Sequence, residues 1–215
     1  DVVVKDHVKN IKIKTNKINY EIDKEILKIL LKTEINIENK YKISGSNFTY
    51  DRKNLIFESD EEALIEDSRS NSFKVSNFKF NLKNEIIVSE KLKFTDIDKN
   101  QLYLESATIS LNNNEIAGKE IAFDFEKNIF GNEENDPRFR GRAFTSNNEE
   151  TSIYKGIFTP CGKTGKCPPW SIKADEIIHK KQKKTIEYKN AWLEIYDKPV
   201  LYFPKFFHPD PTVDR

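Results

Sequence analysis

The chain has 215 residues with 36 basic and 35 acidic side chains, and a formal net charge of +1. Its lysines are spread along the sequence, which excludes the one-sided basic footprint of a nucleic-acid binder. Charged residues make up 33% and the mean hydropathy is -0.70, yet 15 Phe and 8 Tyr exclude a disordered chain, so the apolar side chains must be buried in thin alternating stripes.

In chain order, the first expected elements are strands at Val2 to Val8 and Ile11 to Thr15. No signal-peptide order opens the chain and it contains no Met, so Asp1 reads as a processed or trimmed start. From Ile13 a repeat begins. The stretch IKTNKINYEIDKEIL can be laid over ISGSNFTYDRKNLIF from Ile43, FKVSNFKFNLKNEII from Phe73 and LYLESATISLNNNEI from Leu102, with starts 30, 30 and 29 residues apart. Each unit carries apolar residues two apart, as in Ile18 and Tyr20, Phe48 and Tyr50, Phe78 and Phe80, and Ala107 and Ile109, which is strand spacing.

A turn-rich slot follows in each unit, at Lys24, Asn54, Asn84 and Asn113, and then a second strand holding Ile26, Ile56, Ile86 and Ile116. The apolar parity flips across Ser46-Asn47, Ser76-Asn77 and Glu105-Ser106, which predicts a bulge or corner where a strand bends from one sheet to another. Helix propensity is high over Glu25 to Glu34 and Glu61 to Asp67, but the counterparts of these segments in the other units are strand-like, so both are expected to be strands. A polar loop over Asn128 to Pro137 precedes a degraded fifth unit from Phe139 to Phe158.

The C-terminal stretch predicts a strand over Ser171 to Ile178, a lysine-rich turn, a strand over Thr185 to Ile195, a turn at Asp197-Lys198 and an aromatic strand over Val200 to Phe203. Pro199, Pro204, Pro209 and Pro211 are expected to forbid regular pairing there and to stiffen an exit into something else. The expected organisation is all-β throughout, with one elongated domain over residues 1–198 and a proline-rich lead-in over 199–215. Stacked units share a continuous core.

No motif argues for catalysis, a cofactor or a metal. His7, His179 and His208 stand alone and read as solvated surface residues, and there is no glycine-rich phosphate loop. Cys161 and Cys167 suit either a short local disulfide or pairing with cysteines elsewhere, and a zinc site would need two more ligands. The aromatic stripe has two readings. Its members fill a β core, or the sheets stay open and Ile18, Tyr20, Phe48, Tyr50, Ile56, Phe78, Phe80, Ile86 and Ile109 line a groove for acyl chains.

Thr159-Pro160-Cys161, Trp170, Lys173-Ala174, Asn190-Ala191, Pro199-Val200, Tyr202, Pro204, His208-Pro209-Asp210-Pro211 and Arg215 follow one another in an order and spacing that resembles the LptD (OstA or Imp) family of lipopolysaccharide-assembly proteins. The upstream repeat resembles the OstA-like unit of that family and of its LptA-like and LptC-like partners. The resemblance implies an open twisted β-jellyroll in the periplasm at the outer membrane. Such a domain would receive lipopolysaccharide from an LptA-like bridge protein by edge-strand pairing at the N-terminal strands. It would then pass the lipid toward a barrel, not present in this chain, that holds an LptE-like lipoprotein. A free LptA-like bridge protein and a structural β-solenoid without ligand are the competing readings.

Overall fold

The computed structural model describes residues 2–68, 70–96, 99–126, 136–161 and 170–210. Contacts group the chain into two compact units, Asp1–Ile97 with Ser106–Asn112, and Asp98–Glu105 with Asn113–Arg215, a division that no shift in composition announces. The fold is all-β and antiparallel, with a single 3-10 turn at Ile22–Lys24 among the described residues. Of the two segments of high helix propensity, Glu61 to Asp67 is strand, whereas Glu25 to Glu34 holds the strand Ile26–Ile29 and the start of the strand Thr33–Ile37, parted at residues 30–32, where Leu30 and Leu31 are exposed.

The first unit contains β1 (Val2–Asp6), β2 (Ile11–Thr15), β3 (Asn19–Glu21), β4 (Ile26–Ile29), β5 (Thr33–Ile37), β6 (Tyr41–Gly45), β7 (Phe48–Asp51), β8 (Ile56–Asp67), β9 (Ser72–Asn81) and β10 (Ile86–Thr95). β11 (Gln101–Leu104) belongs to the second unit, and β12 (Ser106–Ser110) returns to the first. Two ladders result. One runs β1, β2, β5, β6, then the second half of β8, the first half of β9 and the second half of β10. The other runs β3, β4, β7, then the first half of β8, the second half of β9, the first half of β10, and β12. The long strands β8, β9 and β10 therefore belong to both ladders and join them at a bend, which makes the unit jellyroll-like.

The bend lies where the parity flip predicts it. Asn47 and Asn77 have φ of 54° and 44°, and the β8–β9 register shifts between Ser59 and Glu62. An asparagine tolerates the left-handed region better than most residues, so it is a cheap choice for a bulge where glycine is scarce. The same polar clasp recurs one unit later. Ser59 Oγ donates to the Ser46 carbonyl at 3.1 Å, and Ser89 Oγ to the Ser76 carbonyl at 3.0 Å.

The hairpin turns are equally regular. Asp51 Oδ1 accepts the Asn54 N–H at 2.9 Å, and Asn81 Oδ1 accepts the Lys83 N–H at 2.9 Å. The last residue of each turn is left-handed, at Glu25, Leu55, Glu85 and Asn114. That residue shifts the parity of the following strand by one. Hence Leu27, Phe57 and Ile87 face the interior, whereas Ile56 and Ile86, expected to point inward, are only half-buried.

The second unit runs from β11 to β13 (Glu115–Asp124) and onward as a meander through β14 (Arg138–Ser146), β15 (Glu150–Thr159), β16 (Trp170–Lys180), β17 (Thr185–Ile195) and β18 (Lys198–Pro209). Its strands bend as well, at Glu120, Lys155 and Asn190, with φ of 51°, 50° and 50°. Small residues gather at that bend on the middle strands, flanked in the same row by Ile121 and Phe203. Gly156, Ala174 and Ala191 lie side by side across three strands, and Gly141 sits near them on β14.

The prolines do not forbid pairing as expected. β18 pairs with β17 from Lys198 to Pro209 and contains Pro199, Pro204 and Pro209, while Pro211 lies outside the described residues. Two physical facts reconcile this. Pro204 falls at the bend opposite Asn190, between the pairs Lys189–Lys205 and Ala191–Phe203, where the ladder skips a rung and needs no N–H. Pro199 and Pro209 lie near the ends of an edge strand bonded on one side only among the described residues, where a missing donor removes little.

The bend also makes a test. A Cβ on Gly141 would stand 2.4 Å from Ile153 Cγ2 and 3.0 Å from the Tyr154 carbonyl oxygen, both rigidly held, whereas one on Gly156 would first meet Ile177 Cδ1 at 2.6 Å, the free end of a side chain. Gly141→Ala is therefore expected to cost about 1–3 kcal/mol of stability and Gly156→Ala less, read from paired urea denaturation curves. Equal costs would refute the steric account of the corner.

Candidate functional site

The interior of the first unit is the candidate site, because two apolar ladder faces meet there. Along one, Leu27, Tyr50, Phe57, Phe80, Ile87 and Ile109 occupy successive rungs of neighbouring strands. Along the other run Val4, Ile13, Ile35, Ile43, Ile65, Phe73 and Phe94. Tyr41 from the second face meets Phe80 from the first edge-on, with ring centroids 5.8 Å apart. Fully burying each such side chain stabilises by roughly 1.5–3 kcal/mol.

Of the nine residues expected to line a groove, Phe48, Tyr50, Phe78, Phe80 and Ile109 are buried between these faces. They pack mainly on protein. Tyr50 stacks on Phe57 at 4.2 Å, and Phe48 meets Phe78 edge-on at 6.3 Å. Ile18, Ile56 and Ile86 are half-buried, and Tyr20 is 45% exposed because β3 is the last strand of its ladder. The sequence reading missed Phe57 and Ile87, which the left-handed turn residues rotate into the row.

A buried carboxylate interrupts this interior. Asp6, at the end of β1, is only 6% exposed and bonds across to the opposite ladder. Its Oδ2 accepts the Tyr50 hydroxyl and the Arg52 Nε–H, each at 3.1 Å, and its Oδ1 accepts the Val8 N–H at 2.9 Å. Burial alone would raise the Asp6 pKa, but the Val8, Tyr50 and Arg52 bonds outweigh it and hold the carboxyl below its ordinary value. Burial first, and then the Asp6 charge, push the Tyr50 hydroxyl far up, so it remains a neutral donor. The cluster ties the outermost strand of one ladder to β7 of the other.

Both ladders end in free edges at this side. Among the described residues β1 pairs with β2 alone and β3 with β4 alone, and Val2 and Val3 are 38% and 50% exposed. In the second unit β18 is the edge. Its hairpin with β17 exposes Trp192, Ile195, Tyr196, Val200, Leu201 and Tyr202. Two of the histidines expected to be merely solvated are engaged there. His179 Nε2 lies 2.9 Å from Asp210 Oδ2, and His208 Nε2 lies 3.1 Å from the hydroxyl of the fully buried Tyr188, which fastens the end of β18 to β16 and β17. Cys161 is a free thiol in the structure, and Cys167 lies outside the described residues, as does most of the loop expected over 128–137.

An antiparallel β protein with a face-to-face apolar interior and open strand edges is thus the class this chain defines. No family model matches it. It is 46% identical over 57 residues to the LPS-assembly protein LptD of Pseudoalteromonas translucida (strain TAC 125), a match that covers 26% of this chain and 7% of that protein. The similarity to LptD is therefore partial, and the matched part is a small fraction of the relative's length.

The Asp6 cluster predicts a pH dependence. A carboxyl whose folded pKa is lowered stabilises in full above its unfolded value, and that stabilisation is lost as pH falls through the folded value. Asp6→Asn is therefore expected to lower stability at neutral pH by about 1.5–3 kcal/mol and to flatten the acid limb of a melting-temperature profile. A profile of unchanged shape would show that Asp6 does not carry the linkage.

Proposed function

We propose that this chain is a lipid-guiding domain of lipopolysaccharide assembly at the outer membrane, placed in the periplasm and without chemistry of its own. Lipopolysaccharide arrives from an LptA-like bridge protein paired edge to edge with β1, travels with its acyl chains between the two ladders of the first unit, and leaves toward a barrel that holds an LptE-like lipoprotein. The observation that carries the reading is the unbroken apolar row from Leu27 to Ile109, which faces a second apolar ladder at an end where both sheets present free edges. The partial similarity to an LPS-assembly protein points the same way.

The two terminal strands differ in a manner that supports a direction. β1, with the sequence VVVKD, has no proline and leaves a full set of backbone donors for strand addition. β18 carries Pro199, Pro204 and Pro209, so its outer edge is a poor template for another strand. Its exposed aromatic hairpin suits packing against an apolar body. A free bridge protein would instead profit from two open edges.

Photocrosslinking in cells tests the reading. A crosslinking residue at Phe48 or Phe80 is expected to capture lipopolysaccharide, and one at the outward Lys83 is not. Cooperative melting of each purified variant would show that the fold survives. Capture at Lys83 alone would refute guidance between the ladders and leave a structural β protein whose aromatics only pack.

A further inference from the structure

The edge strand carries an electrostatic conflict. Lys5 on β1 stands directly opposite Lys12 on β2, both exposed on the outward face, with Lys14 diagonal to Lys5. Like charges directly opposite on an antiparallel pair destabilise it. No ion pair engages any of the three among the described residues, whereas Lys9, Lys28, Lys40, Lys74 and Lys79 each meet a carboxylate. Inward along the same row Lys12 faces Asn36, so no carboxylate stands in register with either member of the Lys5–Lys12 pair, and Glu34 is only diagonal to Lys12. Lys14 alone has an acidic residue, Glu34, in register.

On the opposite face of β1, Val2 is 38% exposed and Val4 only half-buried, although the register directs both toward the interior. A further strand would finish covering them. The free edge therefore asks for two things in alternation, an apolar residue inward and a negative charge outward.

We infer that β1 selects a partner protein whose own sheet edge is acidic on its outward face, with a carboxylate opposite Lys5, and apolar on its inward face. The inference rests on the edge-pairing reading above and adds the chemistry of the partner. A second copy of this chain is a poor occupant, because it would bring another Lys5 and Lys12 to a face already in excess of positive charge. The lysines so disfavour self-association and favour one class of neighbour with the same charges.

The test uses the full chain and two short synthetic strands that share alternating valines and carry either glutamate or lysine at the positions between. Fluorescence anisotropy is expected to show preference for the glutamate strand at ~0.1 M salt that fades at ~1 M, where the screening length falls to about 3 Å. The Lys5→Glu/Lys12→Glu double variant is expected to lose affinity for the glutamate strand by about threefold to tenfold and to gain it for the lysine strand. Equal affinity for the two strands, or a preference unmoved by the double variant, would overturn the charge inference while leaving edge pairing intact. A glutamate strand methylated at every amide nitrogen has no backbone donor and is blocked on both edges, so it cannot add to a sheet. Binding as tight as that of its parent would overturn edge pairing itself, and the inference with it.

Discussion

The structure depends on a bend in its long strands that keeps the side-chain alternation correct on both sides. A straight strand of ten residues would put its second half in the same sheet as its first. A single left-handed residue, Asn77 in β9 or Lys155 in β15, resets the parity so that Phe73 and Val75 before the bend, and Phe78 and Phe80 after it, are all buried. Each bend costs an unfavourable φ at a non-glycine residue, on the order of 1–2 kcal/mol. Burial of the two faces it brings together outweighs that cost several times over. Ser59 and Ser89 then clasp the inside of the bend, and Gly141, Gly156, Ala174 and Ala191 leave the space it needs.

This constraint also explains what could be read from the sequence. The thirty-residue repeat and the position of the corners follow from alternation and turn chemistry, which are local, and the strands within Glu25 to Glu34 follow from the counterparts of that segment in the other units. The parity of the second strand in each unit does not, because it depends on whether the last turn residue is left-handed. Leu55 and Glu85 adopt that conformation without any glycine to advertise it. The prolines mislead for a related reason. Their effect depends on whether the missing N–H would have faced a neighbour, and only the register of β17 on β18 places Pro204 at the skipped rung. His179 and His208 likewise look isolated along the chain, because their partners Asp210 and Tyr188 lie 31 and 20 residues away.

A chain with so many charged residues builds an apolar interior by strict separation of faces. Along β9 the order Phe73, Lys74, Val75, then Phe78, Lys79, Phe80 sends every apolar side chain inward, and Lys74 and Lys79 meet Glu62 and Glu58 on the outer face at 2.8 and 3.4 Å. Those exposed pairs add little stability, of the order of 0–1 kcal/mol each, but they neutralise a surface that would otherwise repel itself. Where they stop, at Lys5 and Lys12, the sheet also stops.

Asp6 acquires its meaning from that setting. It sits on the outermost strand with its side chain turned inward, a position that Val2 and Val4 would suggest should be apolar. A valine there would bury more apolar surface but would leave the Tyr50 hydroxyl without its acceptor inside the interior, a loss of about 1–3 kcal/mol. The carboxylate instead joins β1 to the opposite ladder through Tyr50 and Arg52, so the two sheets are fastened at the end where their edges are free. A strand added to β1 would bear directly on the strand that holds this fastening. Under the edge-pairing proposal, such a strand and the spacing of the apolar faces would be connected through one residue.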